Sequence, residues 1–483
     1  MPQLRYDGLI PRDEHTYTGQ RRIWRPGQID EIPAALASNL LRSGYWRPAE
    51  ARAAAGAPLP VFARPMKLAT LGDSLAARGN SSTVTTLISV AGNVDALSQG
   101  QFAYSWARAF ATAGTRVSGG GAPDHLTQID SILAASGIDV VLWLSPGTNS
   151  LAALIDGPTL LSQIRTGLST LTAAGKLVLL CTIPPRATGA ENAVFYRDWT
   201  LVNDYIVRQS WREFPQVVPV DLGPALCRPG TPMAPLPEFY QSDLLHFSPA
   251  GAMAVAAEVL AAARAALRFP PEAESRYWSD ALNGYTDYFA NGAMTGTGGT
   301  NSAAAGGGTT STGTIASNWT AQVRATGPII THTAGVTDPA YPGVLFQKVA
   351  LSGTGANNST TSPGYWAYSD FTPSGGNIAA GDVVFASMRV LLRQCDGMMA
   401  PQFRLALNVS GTVTAQTYAL SYDSDSLSMP NGPQTADFYT STPVYTVGAG
   451  MTGLRLFFSP FFRTGAPLAG SLLFGDVRLW KVA

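Results

Sequence analysis

The spacing of apolar residues changes once along this chain. Between residue 63 and about 270 they come in short continuous runs, separated by alanine- and leucine-rich stretches of helical period. Lys67–Leu71, Val140–Leu144, Lys176–Thr182 and Val217–Leu222 predict buried strands, and Thr159–Ala173 predicts a helix. Continuous apolar strands alternating with helices indicate a parallel sheet covered on both faces. Ser248-Pro249 opens a further helix to about Leu267, with serine as N-cap and proline in the first turn. Beyond about residue 271 the helical spacing stops. Short β-type runs follow at Val344–Leu351, Asp382–Leu392, Gln402–Val409, Val413–Tyr422, Gly453–Pro460 and Ser471–Lys481. Repeated strands without helices between them predict a β-sandwich of jelly-roll type.

The pattern divides the chain into residues 1–62, 63–270 and 271–483. In the first piece, Ile32–Leu41 predicts a short amphipathic helix, and 51–60 reads as a linker. This piece is either a packing extension of the next domain or a module that attaches the protein to a larger assembly. The stretch Gly292–Thr314 is rich in Gly, Thr, Ala and Ser and is unsuited to a helix.

Composition narrows the functional classes. The chain has 483 residues, 13% of them charged, and no net charge, which argues against a nucleic-acid binder. No apolar run reaches the ~18–20 residues of a membrane helix, and the polar N-terminus lacks a signal-peptide core. The 3 cysteines, Cys181, Cys227 and Cys395, form neither a disulfide framework nor a zinc pattern, and Cys181 reads as a small core residue. The 4 histidines are too scattered for a metal site, and no phosphate-cradling glycine motif marks a cofactor.

Candidate chemistry begins where the first strand ends. Ser74 follows Leu71-Gly72-Asp73, at a glycine-flanked turn that can hold a hydroxyl exposed at a sheet edge. A serine needs a base, a group to orient the base, and donors for the developing oxyanion. His246 is the candidate base, and Asp243, three residues earlier, the candidate orienting group. Loops at the C-terminal edge of a parallel sheet can bring Ser74 and His246 together. Ser118-Gly119-Gly120-Gly121 offers backbone N–H groups, and Asn149, after the strand Val140–Leu144, offers a side-chain amide. His125 lies near these residues in sequence and reads as a surface or substrate-contact residue. Among Trp319, Tyr365, Trp366, Tyr368, Tyr439 and Trp480, most are expected in the core or on ordinary surface, and about a third are expected to line a groove.

Gly72-Asp73-Ser74-Leu75, Gly119, Gly147-Thr148-Asn149 and Asp243-Leu244-Leu245-His246 occur in the order of the four sequence blocks of the SGNH, or GDSL, hydrolases. Over residues 63–270 the chain resembles that family. The resemblance implies a three-layer α/β/α fold and hydrolysis of an ester or small acyl group without a cofactor. It implies Ser74 as nucleophile, His246 as base, Asp243 as its partner, and an oxyanion hole of the Ser74 N–H, Gly119 N–H and Asn149 amide. The third block usually ends in Asp where this chain has Ser150, and the second usually carries Asn where this chain has Arg116. Gly299-Thr300-Asn301-Ser302 repeats the letters of the third block within the low-complexity stretch and reads as coincidence.

The whole layout resembles bacteriophage tailspike or tail-fibre deacetylases. That likeness implies acetylated bacterial polysaccharide as substrate, phage tail or baseplate proteins as partners, a homotrimer, and a place on the virion. Two other readings stand beside it. One is a bacterial esterase or lipase with a carbohydrate-binding module, secreted or cytoplasmic. The other is a receptor-binding protein without activity.

Overall fold

The structure is a computed structural model. It describes residues 66–267 except 100, 122, 189–190 and 229–230, and residues 289–482 except 290–291, 303–310, 358–362, 373–376, 410–411 and 422–427; elsewhere it describes only 3–6, 12–15, 21–24, 29–31, 46–48 and 285–287. Residues 1–62 with 260–270 form one compact unit, and residues 63–259 with 271–483 form another. In the first, strand Gln3–Tyr6 pairs antiparallel with Ile29–Glu31 and with Trp46–Pro48, and Arg12–His15 pairs with Arg21–Trp24. The helix expected over 32–41 and the linker over 51–60 lie outside the described residues.

The second unit is built on a five-stranded parallel sheet in the order Val217–Val220, Leu177–Cys181, Val140–Leu144, Met66–Gly72, Phe102–Ala109. Four of these strands are the four expected apolar runs. Phe102–Ala109 is additional; its Ala, Ser and Arg residues do not form a continuous apolar run. Side chains alternate across the sheet. Ala69, Leu71, Val141, Trp143, Val178 and Leu180 share one apolar cluster with the helices His125–Ala134, Gly157–Ala173 and Ala193–Arg208. Leu68, Leu142 and Leu179 point the other way and are buried too, so both faces are covered. Burying each such side chain contributes about 1.5–3 kcal/mol.

Ser248 caps the helix Pro249–Ala266 by accepting the Gly251 N–H at 3.2 Å, as its sequence requires. By length and composition this helix could cross a membrane, contrary to the expectation that no apolar run is long enough. Half of it is buried within the protein, and Ala252, Val255 and Val259 are fully enclosed. Its apolar character is that of a core helix.

All six β-type runs expected after residue 271 are strands, within a few residues at either end. They belong to two sheets. The first runs Ser311–Gly313, Pro328–Thr337, Leu345–Gly353, Ala469–Val482, Val383–Asp396, Gln434–Ser441. The second runs Thr300–Ser302, Thr320–Val323, Tyr365–Phe371, Gly453–Phe458, Phe403–Val409, Thr412–Ser421, and ends on Val84–Thr86. Alternate residues of both sheets share one apolar core, including Val349, Val390 and Phe474 from the first and Tyr365, Leu405 and Leu456 from the second.

That final strand comes from the α/β part of the chain. Tyr418 donates to Thr83 O and Leu87 donates to Ser421 O, both at 2.8 Å. Leu87 and Ala96 lie in the β core. The next helix, Val90–Leu97, places Asp95 to accept from Ser441 at 3.2 Å, and Gln99 donates to Asp437 O at 2.6 Å while accepting from the buried Arg389. The segment that follows the Ser74 turn is therefore built into the β region.

A fragment limited to residues 63–270 is expected to lose cooperative folding. It would expose Leu87 and Ala96 and leave Val84–Thr86 without its partner strand. Thermal unfolding followed by circular dichroism checks this. A sharp transition in the fragment, at the melting temperature of the full chain, would contradict it.

Candidate active site

Ser74 sits two residues beyond the strand Met66–Gly72, at the C-terminal sheet edge where Gly72 pairs with Leu144. Two constraints fix the turn. Gly72 has φ +144°, and a Cβ there would lie 2.4 Å from Leu144 O, so only glycine fits. Gln128, buried in the helix His125–Ala134, accepts the Gly72 N–H at 3.0 Å and donates to Gly72 O at 3.1 Å. Its side-chain amide thus pairs with the strand end as a neighbouring strand would. Asp73 caps the short helix Ser74–Ala77 by accepting the Leu75 N–H at 2.9 Å.

The structure brings Ser74, His246 and Asp243 into one line. Ser74 Oγ lies 2.9 Å from His246 Nε2, and His246 Nδ1 lies 2.6 Å from Asp243 Oδ2. With Nδ1–H donating to the carboxylate, Nε2 is left as the acceptor of the serine proton. Asp243 Oδ1 accepts the N–H of Leu245 at 3.0 Å and of His246 at 2.9 Å, which folds the loop back on itself. Partial burial pushes the Asp243 carboxyl up. The His246 side chain and the two amides outweigh this and hold it below the usual range. It therefore stays ionised beside the imidazole.

Neighbouring loops brace this line. Gln241 donates through its N–H to His246 O at 2.7 Å and through its amide to Phe247 O at 2.8 Å, and accepts from Arg78 at 2.9 Å. The nucleophile turn and the histidine loop are thereby tied together. The Ala187 N–H donates to Leu244 O at 3.2 Å, and Tyr240 donates to Pro185 O at 2.7 Å.

Asn149 stands on the short helix Thr148–Ala152, after a Gly147 with φ +143° whose Cβ would lie 2.6 Å from Leu160 Cδ2. Its amide donates to Thr115 O at 3.0 Å and to Asp73 Oδ2 at 3.4 Å. The second contact is long for a hydrogen bond, so that hydrogen is the one a substrate oxygen could take. Gly119 is exposed with φ +72°, and its N–H donates to Asp124 Oδ2 at 2.9 Å. In this state the Gly119 amide is committed to the cap of the next helix. Gly120 is held close to Arg116, the residue standing where the family pattern has Asn: a Cβ at 120 would lie 2.4 Å from Arg116 Cδ. Ser150, the other departure, is buried and accepts the Val117 N–H at 3.1 Å, pinning the second block to the third.

His125 is not at the surface, where its sequence position suggested. It is fully buried and accepts from Trp143 Nε1 at 3.2 Å, and burial pushes its pKa down to about 4. It is a neutral core histidine. Cys181, Cys227 and Cys395 are buried, and none is in a disulfide. Among the described residues no group of His, Cys, Asp and Glu is arranged to hold a metal. Gln128, Gln241 and Arg78 went unnoticed in the sequence because single polar residues in helices and loops carry no motif.

No protein-family model matches the chain, and no curated protein matches it. Solved structures do. A putative lipolytic protein of the G-D-S-L family from Desulfitobacterium hafniense is similar at 12% identity and TM-score 0.32, over 41% of this chain and 99% of its own. A carbohydrate esterase family 3 protein from Talaromyces cellulolyticus is similar at 16% identity and TM-score 0.29, over 40% of this chain and 94% of its own. The enzymatically active domain of tailspike protein 4 of bacteriophage CBA120 is similar at 12% identity and TM-score 0.21, over 34% of this chain. This chain spans only 19% of the length of that tailspike structure.

Asp73 supplies a pH prediction. Burial pushes its carboxyl up to about 7, against the pull of the Leu75 amide, the Ser145 hydroxyl and the Arg186 charge. Between about pH 4 and 7 the folded chain holds a proton here that the unfolded chain has lost, so this residue's contribution to stability falls as pH rises. Asp73→Asn keeps an oxygen for the Leu75 N–H and removes the titration. Its melting temperature relative to wild type should rise across that window. A difference that does not change with pH would contradict the assignment.

Proposed function

We propose that this protein is a serine ester hydrolase that removes O-acetyl groups from bacterial surface polysaccharide as part of a bacteriophage tail. The observation that carries the hydrolase reading is the continuous hydrogen-bonded line Ser74–His246–Asp243, at 2.9 and 2.6 Å. It sits at the C-terminal sheet edge with an amide donor, Asn149, on the short helix that follows the adjacent strand.

In this mechanism Ser74 Oγ attacks the ester carbonyl carbon as its proton passes to His246 Nε2. The carbonyl oxygen becomes an oxyanion, held by the Ser74 N–H and the Asn149 amide. Gly119 joins them only by releasing Asp124. The C–O bond to the sugar then breaks, and His246 returns the proton to the leaving hydroxyl. Water, deprotonated by His246, attacks the acetyl-serine, and acetate leaves. Asp243 holds the imidazole tautomer throughout and balances its transient charge.

The remaining parts of the reading rest on layout. Residues 1–62 would join the protein to other tail components, and the β region, folded as a jelly roll, would bind glycan. The assembly would be a homotrimer, which a monomer mass in light scattering of the full chain would overturn.

Acetate release from acetylated bacterial polysaccharide and from p-nitrophenyl acetate tests the activity. Ser74→Ala should lower both by ~10⁴-fold or more with native melting retained. Asp243→Asn should cost about 10⁴-fold through the wrong tautomer, and Asn149→Ala ~10²–10³-fold. Turnover unchanged in Ser74→Ala would remove Ser74 as nucleophile, and no release from either substrate by folded wild type would remove the hydrolase reading. Hydrolysis of the small ester alone would keep it and remove the polysaccharide.

A further inference from the structure

The outer face of the second β-sheet carries side chains that the catalytic reading does not use. In its strands Tyr365, Ala367, Leu405, Leu454 and Leu456 point into the core. The residues between them face away, and strand register sets them in one row. Thr320, Tyr368, Phe457, Arg404, Tyr418 and Val84 are successive cross-strand partners. The row crosses five strand spacings, about 24 Å at ~4.8 Å each. Trp366 flanks it beside Gln322, and Arg455 flanks it opposite Asp370. Its last member, Val84, belongs to the segment that follows the Ser74 turn.

Rings and guanidiniums interleave along this face. Arg404 stacks 3.7 Å from the Phe457 ring centre, Arg324 3.8 Å from Trp366, and Arg455 4.3 Å from Tyr368. Arg455 makes a two-toothed pair with Asp370, at 2.5 and 2.8 Å. Arg404 has a different environment. It donates to the neutral Gln416 at 2.9 Å, and its Nε is shielded from solvent without a hydrogen-bond partner. Burial above all, with repulsion from Arg324 and Arg455, pushes its pKa down to about 10 against the opposing pull of Tyr418. Among the described residues, three guanidiniums share this face with one carboxylate. A shielded cation held by neutral partners costs free energy that an arriving anion would offset. Guanidinium planes match carboxylates in shape and charge, and flat rings such as those of Trp366 and Tyr368 offer apolar area to the C–H faces of sugars.

We propose that this face binds an acidic polysaccharide, a pyranose chain bearing carboxylates. Arg404 and Arg324 contact the anions, Trp366 and Tyr368 contact the rings, and the chain is led across the sheet toward the nucleophile segment. The proposal rests on the esterase reading for the claim that the bound chain is the substrate; binding itself does not require Ser74.

Native affinity electrophoresis of the full chain, in gels containing polygalacturonate or neutral dextran, tests it. Wild type should be retarded by polygalacturonate and not by dextran, less so as salt is added. Arg404→Gln and Trp366→Ala should each weaken retardation by about 10-fold, equivalent to ~1.4 kcal/mol, while p-nitrophenyl acetate turnover and melting stay native. Should Arg404→Gln fail to fold, the half-exposed Trp366→Ala carries the test. Absence of retardation, equal retardation by dextran or by single-stranded DNA, or full retardation of both folded variants would overturn the proposal. Retardation without any acetate release would sink the esterase reading and leave this one standing.

Discussion

The direction of one backbone bond governs the catalytic end of this molecule. At Gly72 the chain must leave a buried strand and turn within a single residue, so that Ser74 faces the loops rather than the core. Leu144 O, 2.4 Å from where a side chain would begin, forbids any other residue. Gln128 accepts the Gly72 N–H, and Gly72 O accepts from Gln128, from the Thr112 N–H and from the Thr115 hydroxyl. Unpaired, each would cost about 1–3 kcal/mol in this buried position. The serine, the capping Asp73 and the reach to His246 all inherit their geometry from that turn. Gln241 and Arg78 then hold the histidine loop against it.

Sequence patterning captured what depends on local chemistry. Continuous apolar runs became four of the five strands of the parallel sheet, because a strand buried on both faces has no choice but to be apolar along its length. The serine, aspartate and histidine were legible because each lies beside a strand end or helix cap with its own signature. The missed features depend on long-range geometry. Val84–Thr86 is too short to show a period, although its Thr-Val-Thr-Thr run is rich in β-branched residues. Phe102–Ala109 alternates Phe, Tyr and Trp with Ala and Ser and carries Arg108 near its end, and so never reads as a continuous apolar run. His125 looked polar and exposed because its partner, Trp143, lies on a strand 18 residues away. Of the aromatic residues weighed for a groove, Trp319, Tyr365, Tyr439 and Trp480 are buried, and Trp366 and Tyr368 are the two left facing outward. The arginines between them gave no sequence signal, since nothing local says that Arg324, Arg404 and Arg455 come from neighbouring strands.

The break in composition near residue 271 does not coincide with a break in packing. Within one compact unit the β core takes in Leu87 and Ala96 from the segment after Ser74. Buried polar bonds from Asp95 and Gln99 reinforce the join. Such a join costs conformational freedom, since a flexible connection would let the two parts move independently. What it supplies is a fixed register between the row of rings and guanidiniums and the turn that carries the nucleophile. Val84 is the last member of that row, and Gly79, Asn80 and Ser81 between it and the catalytic turn are themselves hydrogen-bonded to the segment 84–89. A polymer held on the sheet would therefore meet the nucleophile at a distance set by hydrogen-bonded backbone.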